Sequence, residues 1–531
     1  MFEHFASEKF YWRLFMRALK GLLIYIGIVL AIILGIGVLI FGIMYFVPSF
    51  RIAGVGVIHT TNSDSGKITA MDEYSGYSDI ELNISSKKIG VKIEANEQGG
   101  NVIDYKLANT CFGIAFDITE FKVIKSVEKV GTTLKINLIV TEPNGLISLN
   151  DSSLIVYLPK SKTFSMLINT EAGNVVIGKS RPDFLINNLT VSTTSGSLTM
   201  GRFGASGDVA TCNFNSLNLS TANGKFDFSE INNVNVSNTI KLQASNGTFT
   251  FDNVNSSFNV TGKGVKLDAN IIKTDTNGFK FVSENGYFNI KQIESPAGAE
   301  NTIVTENCDV KIESISGRTG IVTTYGNITI GTMGSSAVLQ SEHGNIKISK
   351  ALDDLNINTK FGNITVADYQ KSGKFVSVRG NIDVKNTGDY IKNVYTEIEN
   401  TEGSIKVDNK INKLLIKTYG SSKCEVTFRE IKSGFTNPND VFQHKVDLYK
   451  NSSAVVYFPR ANYQPFKFRA MGNISGYISG FNSGQEEGSK VYSSKDYQYF
   501  PSSSKESQEE CQKSCYFEFL GTIEFKIYVE R

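Results

Sequence analysis

One short pattern returns through most of this chain and limits what it can fold into. A glycine is followed by apolar residues at alternate positions: GNVVI from Gly173, GSLTM from Gly196, GKFDF from Gly224, GTFTF from Gly247 and GYFNI from Gly286. Later copies resemble one another more closely: GNITI from Gly326, GNIKI from Gly344, GNITV from Gly362, GNIDV from Gly380 and GSIKV from Gly403. The four from Gly326 to Gly380 are spaced at eighteen residues. Alternation such as Ile328/Ile330 and Ile364/Val366 buries one face of a strand and wets the other. A second alternating run, such as Phe375-Val376-Ser377-Val378, precedes the glycine. Each unit is therefore strand, turn, strand and variable loop.

Antiparallel hairpins in a sandwich or propeller could give such units. Propeller blades, however, need about forty residues, twice this spacing. A short period with near-identical apolar positions instead favours a β-solenoid of roughly a dozen rungs, each burying its inward residues on the last. NDSSLIVYLP at Asn150–Pro159 is echoed by NSSAVVYFP at Asn451–Pro459, and Gly173-Asn174 and Gly472-Asn473 follow the two copies. The unit that opens the array thus repeats near its end. The expected organisation is an N-terminal β region over 67–149, solenoid repeats over 150–435 and a C-terminal β region over 436–531. Within the last, 480–514 reads as a flexible loop, and a final strand pair over 516–530 would cap the open edge.

Ahead of the repeats, Gly21 to Val47 carries no charged residue. As a helix it would measure about 40 Å, enough to cross a hydrocarbon core of about 30 Å with tilt. A cleaved signal peptide would have an apolar region of only about 7–15 residues ending at small residues, whereas this one runs into Phe46, Val47 and Pro48. Lys9, Arg13, Arg17 and Lys20 precede it and only Arg51 closely follows. Residues 1–20 therefore read as a cytoplasmic stub, 21–47 as an uncleaved signal anchor and 48–66 as a stalk to an extracellular or lumenal domain, a single-pass type II arrangement. Gly27, Ala31 and Gly35 form a small-residue stripe suited to helix–helix packing and so to a homodimer.

The run LIVYLPK at Leu154–Lys160, followed by Gly-Asn-Ile units, resembles adhesin domains of the DUF4097 type. There a strand ending in Pro-Lys/Arg precedes rungs of the form T-x-x-G-x-I-x-V. The resemblance covers about residues 150–430, and it implies a β-solenoid at a cell surface more than any activity.

Little in the sequence points to catalysis. The four histidines, His4, His59, His343 and His444, lack metal-ligand spacing, and no GxSxG elbow is present. Asp227, Asp383 and the Asp353-Asp354 pair could serve a polysaccharide lyase or hydrolase only if brought together across rungs. The outward series Thr329, Lys347, Thr365, Asp383 and Lys406 is instead a mixed, solvated face. No metal or cofactor is expected. Net charge is +2, with both signs scattered, which disfavours nucleic acid.

Of the six cysteines, Cys212, Cys308 and Cys424 are expected two residues ahead of the first inward strand position, where other repeats have glycine. Some 25–30 Å would then separate successive members, too far for disulfides. Cys511 and Cys515 are the plausible local pair, and Cys111 has no evident partner. Twelve glycosylation sequons occur, at Asn83, Asn150, Asn188, Asn218, Asn235, Asn246, Asn255, Asn259, Asn327, Asn363, Asn451 and Asn473. Asn327, Asn345, Asn363 and Asn381 also share one rung position and could form an asparagine ladder, with which glycosylation would conflict if the ladder were buried.

The expected function is display of a non-catalytic, adhesin-like β-solenoid on a membrane, with surface glycans or proteins as partners. The alternatives are a polysaccharide-active enzyme on a β-helix and a scaffold polymerising end to end.

Overall fold

The computed structural model describes residues 2–47, 50–70, 77, 79–96, 102–115, 121–142, 145–150, 152–159, 162–178, 185–203, 215–232, 240–389, 391, 393–410, 413–430, 443–458, 467–476, 495–498 and 516–527. The chain is mostly β, a β-solenoid preceded by one apolar helix. That helix runs from Phe2 to Phe46, so it begins well inside the segment expected as a cytoplasmic stub. Phe15–Phe46 is long and apolar enough to cross a membrane, and its most apolar window is not covered by the rest of the chain.

Each solenoid turn contributes one strand to each of two sheets. Ala337–Ser341 lies in the first sheet, the chain turns at His343-Gly344, and Ile346–Ala351 lies in the second. Leu355–Thr359 then opens the next turn, with Leu339 beside Ile357 in the first sheet and Ile346 beside Ile364 in the second. Neighbouring strands are parallel and in register, so like residues stack. Leu339, Ile346, Ile348, Ile357, Ile364 and Val366 all point inward and are buried. Period-two alternation on both strands of every turn thus builds one continuous core between the sheets.

The corner between the two strands explains the glycine. Ser341 Oγ accepts the Gly344 N–H at 2.8 Å, and Thr323 and Thr359 hold Gly326 and Gly362 in the same way at 3.0 Å. This closes each corner on itself, and the glycine then lies directly on the corner of the turn before it. A Cβ on Gly344 would lie 1.9 Å from the Gly326 carbonyl oxygen. The Ser/Thr-x-x-Gly spacing is therefore a hydrogen-bonded corner with no room for a side chain.

Both ends are built by insertion. The turn made of Asp79–Ser85 and Gly90–Ala95 lies between Thr133–Thr141/Ser153–Leu158 on one side and Thr163–Thr170/Val175–Ile177 on the other. At the opposite end, Tyr516–Leu520 and Thr522–Ile527 lie between Gln443–Asp447/Ser453–Phe458 and Lys467–Met471/Ile474–Gly476. The two echoed segments occupy equivalent places, each in the second sheet beside an inserted turn. The last strand pair is consequently not the cap expected from sequence, because inside the stack it pairs on both edges. Lys495–Gln498, the described part of the expected loop, lies antiparallel to Lys467–Met471. Residues 56–66, read as stalk, belong to the strand Gly56–Ala70, which pairs antiparallel with Val102–Ala115. Val102–Ala115, antiparallel to Ser153–Leu158, and Lys122–Val130, antiparallel to Thr133–Thr141, cover the N-terminal sheet edges.

Candidate binding surface

The outward side chains of the two sheets differ in kind. In the first sheet one column runs Asn169, Ser192, Ser220, Gln243, Thr261, Val282, Val304, Val322, Gln340, Asn358 and Val376, each in register with the next. These eleven positions carry no charge. At one rung per about 4.8 Å the column is about 48 Å long. Val304 and Val322 are each about two-fifths exposed, at 38% and 42%. The parallel column beside it reads Leu167, Thr190, Asn218, Lys241, Asn259, Lys280, Thr302, Gly320, Val338, Asn356 and Lys374. Over the first-sheet segments that carry these columns (163–170, 185–193, 216–221, 240–244, 258–262, 279–283, 300–304, 318–323, 337–341, 355–359 and 373–379) Glu300 is the one carboxylate, and it sits at a strand entrance paired with Arg318 at 3.3 Å. Acidic residues return at both ends of this stretch, at Glu397 and Glu399 in register with Lys374 and Val376, and at Glu81, in register with Ser165 and 3.3 Å from Lys135.

The second sheet is the opposite. Thr329, Lys347, Thr365, Asp383, Lys406 and Glu425 form one outward column, as the sequence led us to expect for its first five members. Lys311, Glu313, Lys385 and Asp408 lie on the same face. One side of the solenoid is therefore a solvated, mixed-charge surface; the other, over the eleven turns from Asn169 to Val376, is hydroxyl-, amide- and valine-rich with three lysines in its second column.

Two features border the uncharged face along the corner that follows its strands. An open depression of about 480 Å³ spans four turns and is lined by Ser192, Ser220, Gln243, Thr261 and Lys263, together with corner residues. Farther along, Tyr325, His343 and Phe361 stack ring on ring, with centroids 4.8 Å apart and planes within 13°. Tyr325 and Phe361 stay 54% and 46% exposed, so the stack presents ring edges to solvent. Beside it Lys360 Nζ lies 2.7 Å from Glu342, holding that carboxyl below its usual range. The same corner position holds hydrogen-bonded asparagines nearer the depression, with Asn307 Nδ2 donating to Asn285 at 3.0 Å.

The expected asparagine ladder is present at the entrance to the second sheet. Asn327 Oδ1 accepts the Asn345 N–H at 3.0 Å, Asn345 Oδ1 that of Asn363 at 2.9 Å, and Asn363 Oδ1 that of Asn381 at 2.8 Å. All four are exposed. The anticipated conflict with glycosylation rested on burial and does not arise at Asn327 or Asn363. Asn246, Asn451 and Asn473 are exposed as well, and Asn218, Asn255 and Asn259 are half-buried. Asn83 bonds Asn137 at 2.9 Å and Asn188 bonds Ser165 at 3.0 Å. Asn235 and the Asn150 side chain lie outside the described residues.

Cys308 and Cys424 are free and buried, with burial pushing both thiols up to about 12. Cys308 takes a glycine's place, in register with Gly286. Cys424 does not: it stacks on Ile405 as an inward strand residue, and Ser422 lies beside Gly403. The spacing to Val426 misled because that valine is the second inward position. Cys212, Cys511, Cys515 and the Cys111 side chain lie outside the described residues. The carboxylates singled out from sequence are dispersed: Asp227 lies 3.1 Å from Lys225, Asp353 lies 2.8 Å from Lys371, and Asp354 accepts the Ser372 N–H at 3.0 Å. In the apolar helix Ala31 is exposed and the space around Gly27 and Gly35 is open.

The uncharged column was missed in the sequence although it has a simple signal. Its members stand four residues before the corner glycine, as Ser192, Ser220, Gln243, Val322, Gln340, Asn358 and Val376 do before Gly196, Gly224, Gly247, Gly326, Gly344, Gly362 and Gly380.

No family model matches the chain, so the DUF4097 resemblance gains no support from that side, and no curated protein matches it either. Among solved structures it is similar to a candidate cell adhesion protein from Clostridium sporogenes ATCC 15579, at 12% identity over 45% of this chain and 100% of that one. The TM-score of 0.27 is too low for that likeness to carry any argument.

Proposed function

We propose that this chain is a surface protein tethered by its N-terminal helix, and that the uncharged face of its solenoid is the adhesive surface. Its role is adhesion or surface structure, without turnover. The observation that carries this reading is the unequal charge of the two sheets. A face that carries little charge can be covered without stripping water from ions, whereas the opposite sheet would lose that hydration on contact. Lys9, Arg13, Arg17 and Lys20 ahead of the helix support a type II orientation with the solenoid outside. The pairing of Asp227 and Asp353 with lysines supports a structural use of those carboxylates over a catalytic one.

Expression of the full chain in a non-adherent host tests this. Protease added to intact cells should remove the solenoid, and the cells should gain attachment to one another or to a coated surface. A chain that is protected in intact cells, or that is displayed and leaves attachment unchanged, contradicts the proposal.

A further inference from the structure

We infer that the ligand of the uncharged face is a neutral polysaccharide lying along the rungs; this rests on the adhesive reading above and supplies the chemistry of the partner. Ser192, Ser220, Gln243 and Thr261 stand on successive turns and line one open depression. Hydroxyl and amide groups both donate and accept hydrogen bonds, which is what the hydroxyls of a sugar chain require of a partner. Val282, Val304 and Val322 continue the same column and offer apolar surface to the C–H faces of sugar rings. Tyr325, His343 and Phe361 add ring edges along the same corner. The rungs from Phe258, Phe279, Glu300 and Arg318 follow one another, so the aromatic stack begins about 15 Å beyond the last turn of the depression.

Charge discriminates among ligands. No cation stands in the column itself and Lys263 is the one cation lining the depression, so a polyanion would meet few counter-charges there. Lys241 and Lys280 flank it with Asn259 between them, and Lys374 lies 3.2 Å from Glu397. A protein partner that adds a strand is disfavoured, because the surface is a sheet face whose strands are already paired on both sides. A repeating, uncharged, hydroxyl-rich polymer matches both the spacing and the polarity.

The test uses the full chain in nanodiscs, passed over immobilised dextran, mannan, xylan and cellulose, with alginate and heparin as anionic comparisons. Retention on at least one neutral polymer, unchanged between low and high salt, is expected. Ser220→Glu with Gln243→Glu should weaken it at least about tenfold, since each buries an unpaired charge on contact. Phe361→Ala should weaken it by a smaller factor, and Thr365→Glu on the opposite sheet should leave it unchanged. Thermal unfolding of each variant checks that the solenoid is intact. Retention only on the anionic polymers, lost in salt or on Lys241→Gln with Lys280→Gln, overturns the inference. So does a dimer that the column variants dissociate, since a second copy would then occupy the face. Loss of cell attachment in column variants, with no neutral polymer retained, would remove the ligand class and leave the adhesive reading standing. Retention on a neutral polymer, with attachment indifferent to the same variants, would remove the adhesive reading and leave the ligand class.

Discussion

At Gly344 the nearest atom to a new methyl group would be a main-chain oxygen, which cannot swing away as a side chain could. Gly344→Ala should therefore force two adjacent turns apart and destabilise by about 1–3 kcal/mol. A urea unfolding midpoint checks it, with Thr329→Ala on the exposed face as the near-neutral comparison. His444 makes a second prediction. It is buried against Phe517, with ring centroids 4.4 Å apart, and its Nδ1 accepts the Leu414 N–H at 3.1 Å. Burial, helped by Lys413, lowers it to about 3 from an ordinary 6.5. The folded form thus stays neutral over pH values where the unfolded chain binds a proton. Stability should be complete above pH 6.5 and fall as pH drops toward 3, by about 2 kcal/mol at pH 5. A melting series from pH 7.5 to 4.5 should show this slope, and His444→Phe should flatten it. If the variant keeps the wild-type slope, another group sets it.

The strands were legible where their signal is local. Alternation of period two, a glycine at a fixed offset and an eighteen-residue spacing gave the rungs, their inward residues and the asparagine ladder, because in-register stacking repeats each choice in the next turn. The insertions left no such mark. Asp79–Ser85 pairs with Thr133–Thr141 and Thr163–Thr170, and partners this distant in sequence share no local pattern. The echo between 150–159 and 451–459 was the trace of this topology, but its meaning depends on the pairings. The C-terminal insertion should also matter for stability. Phe517, Phe519 and Phe525 are buried there, and Phe458 makes ring contacts with all three. Removing residues 516–531 should leave strand edges unpaired on both sides of the gap. Faster hydrogen exchange over 443–458 and concentration-dependent association are expected. Wild-type exchange in a monomeric truncated chain would mean that the neighbouring turns close on each other without it.

For the molecule as a whole, the sequence located the membrane-spanning candidate through its uncharged run and the solenoid through its period. It did not reveal that the two sheets divide the surface by charge. That division follows from which residue stands four places before each corner glycine, and it becomes a surface only once those residues are stacked. The central claim is that the uncharged column of the first sheet makes the contact. It is tested most directly by the attachment force of single cells displaying the full chain, compared between two triple variants of matched charge. One carries Val304→Glu, Val322→Glu and Gln340→Glu in the uncharged column; the other carries Thr329→Glu, Ser349→Glu and Thr365→Glu on the opposite sheet. Attachment should be lost in the first and kept in the second, at equal surface expression. Equal loss in both, or loss only in the second, would contradict the assignment of the adhesive face.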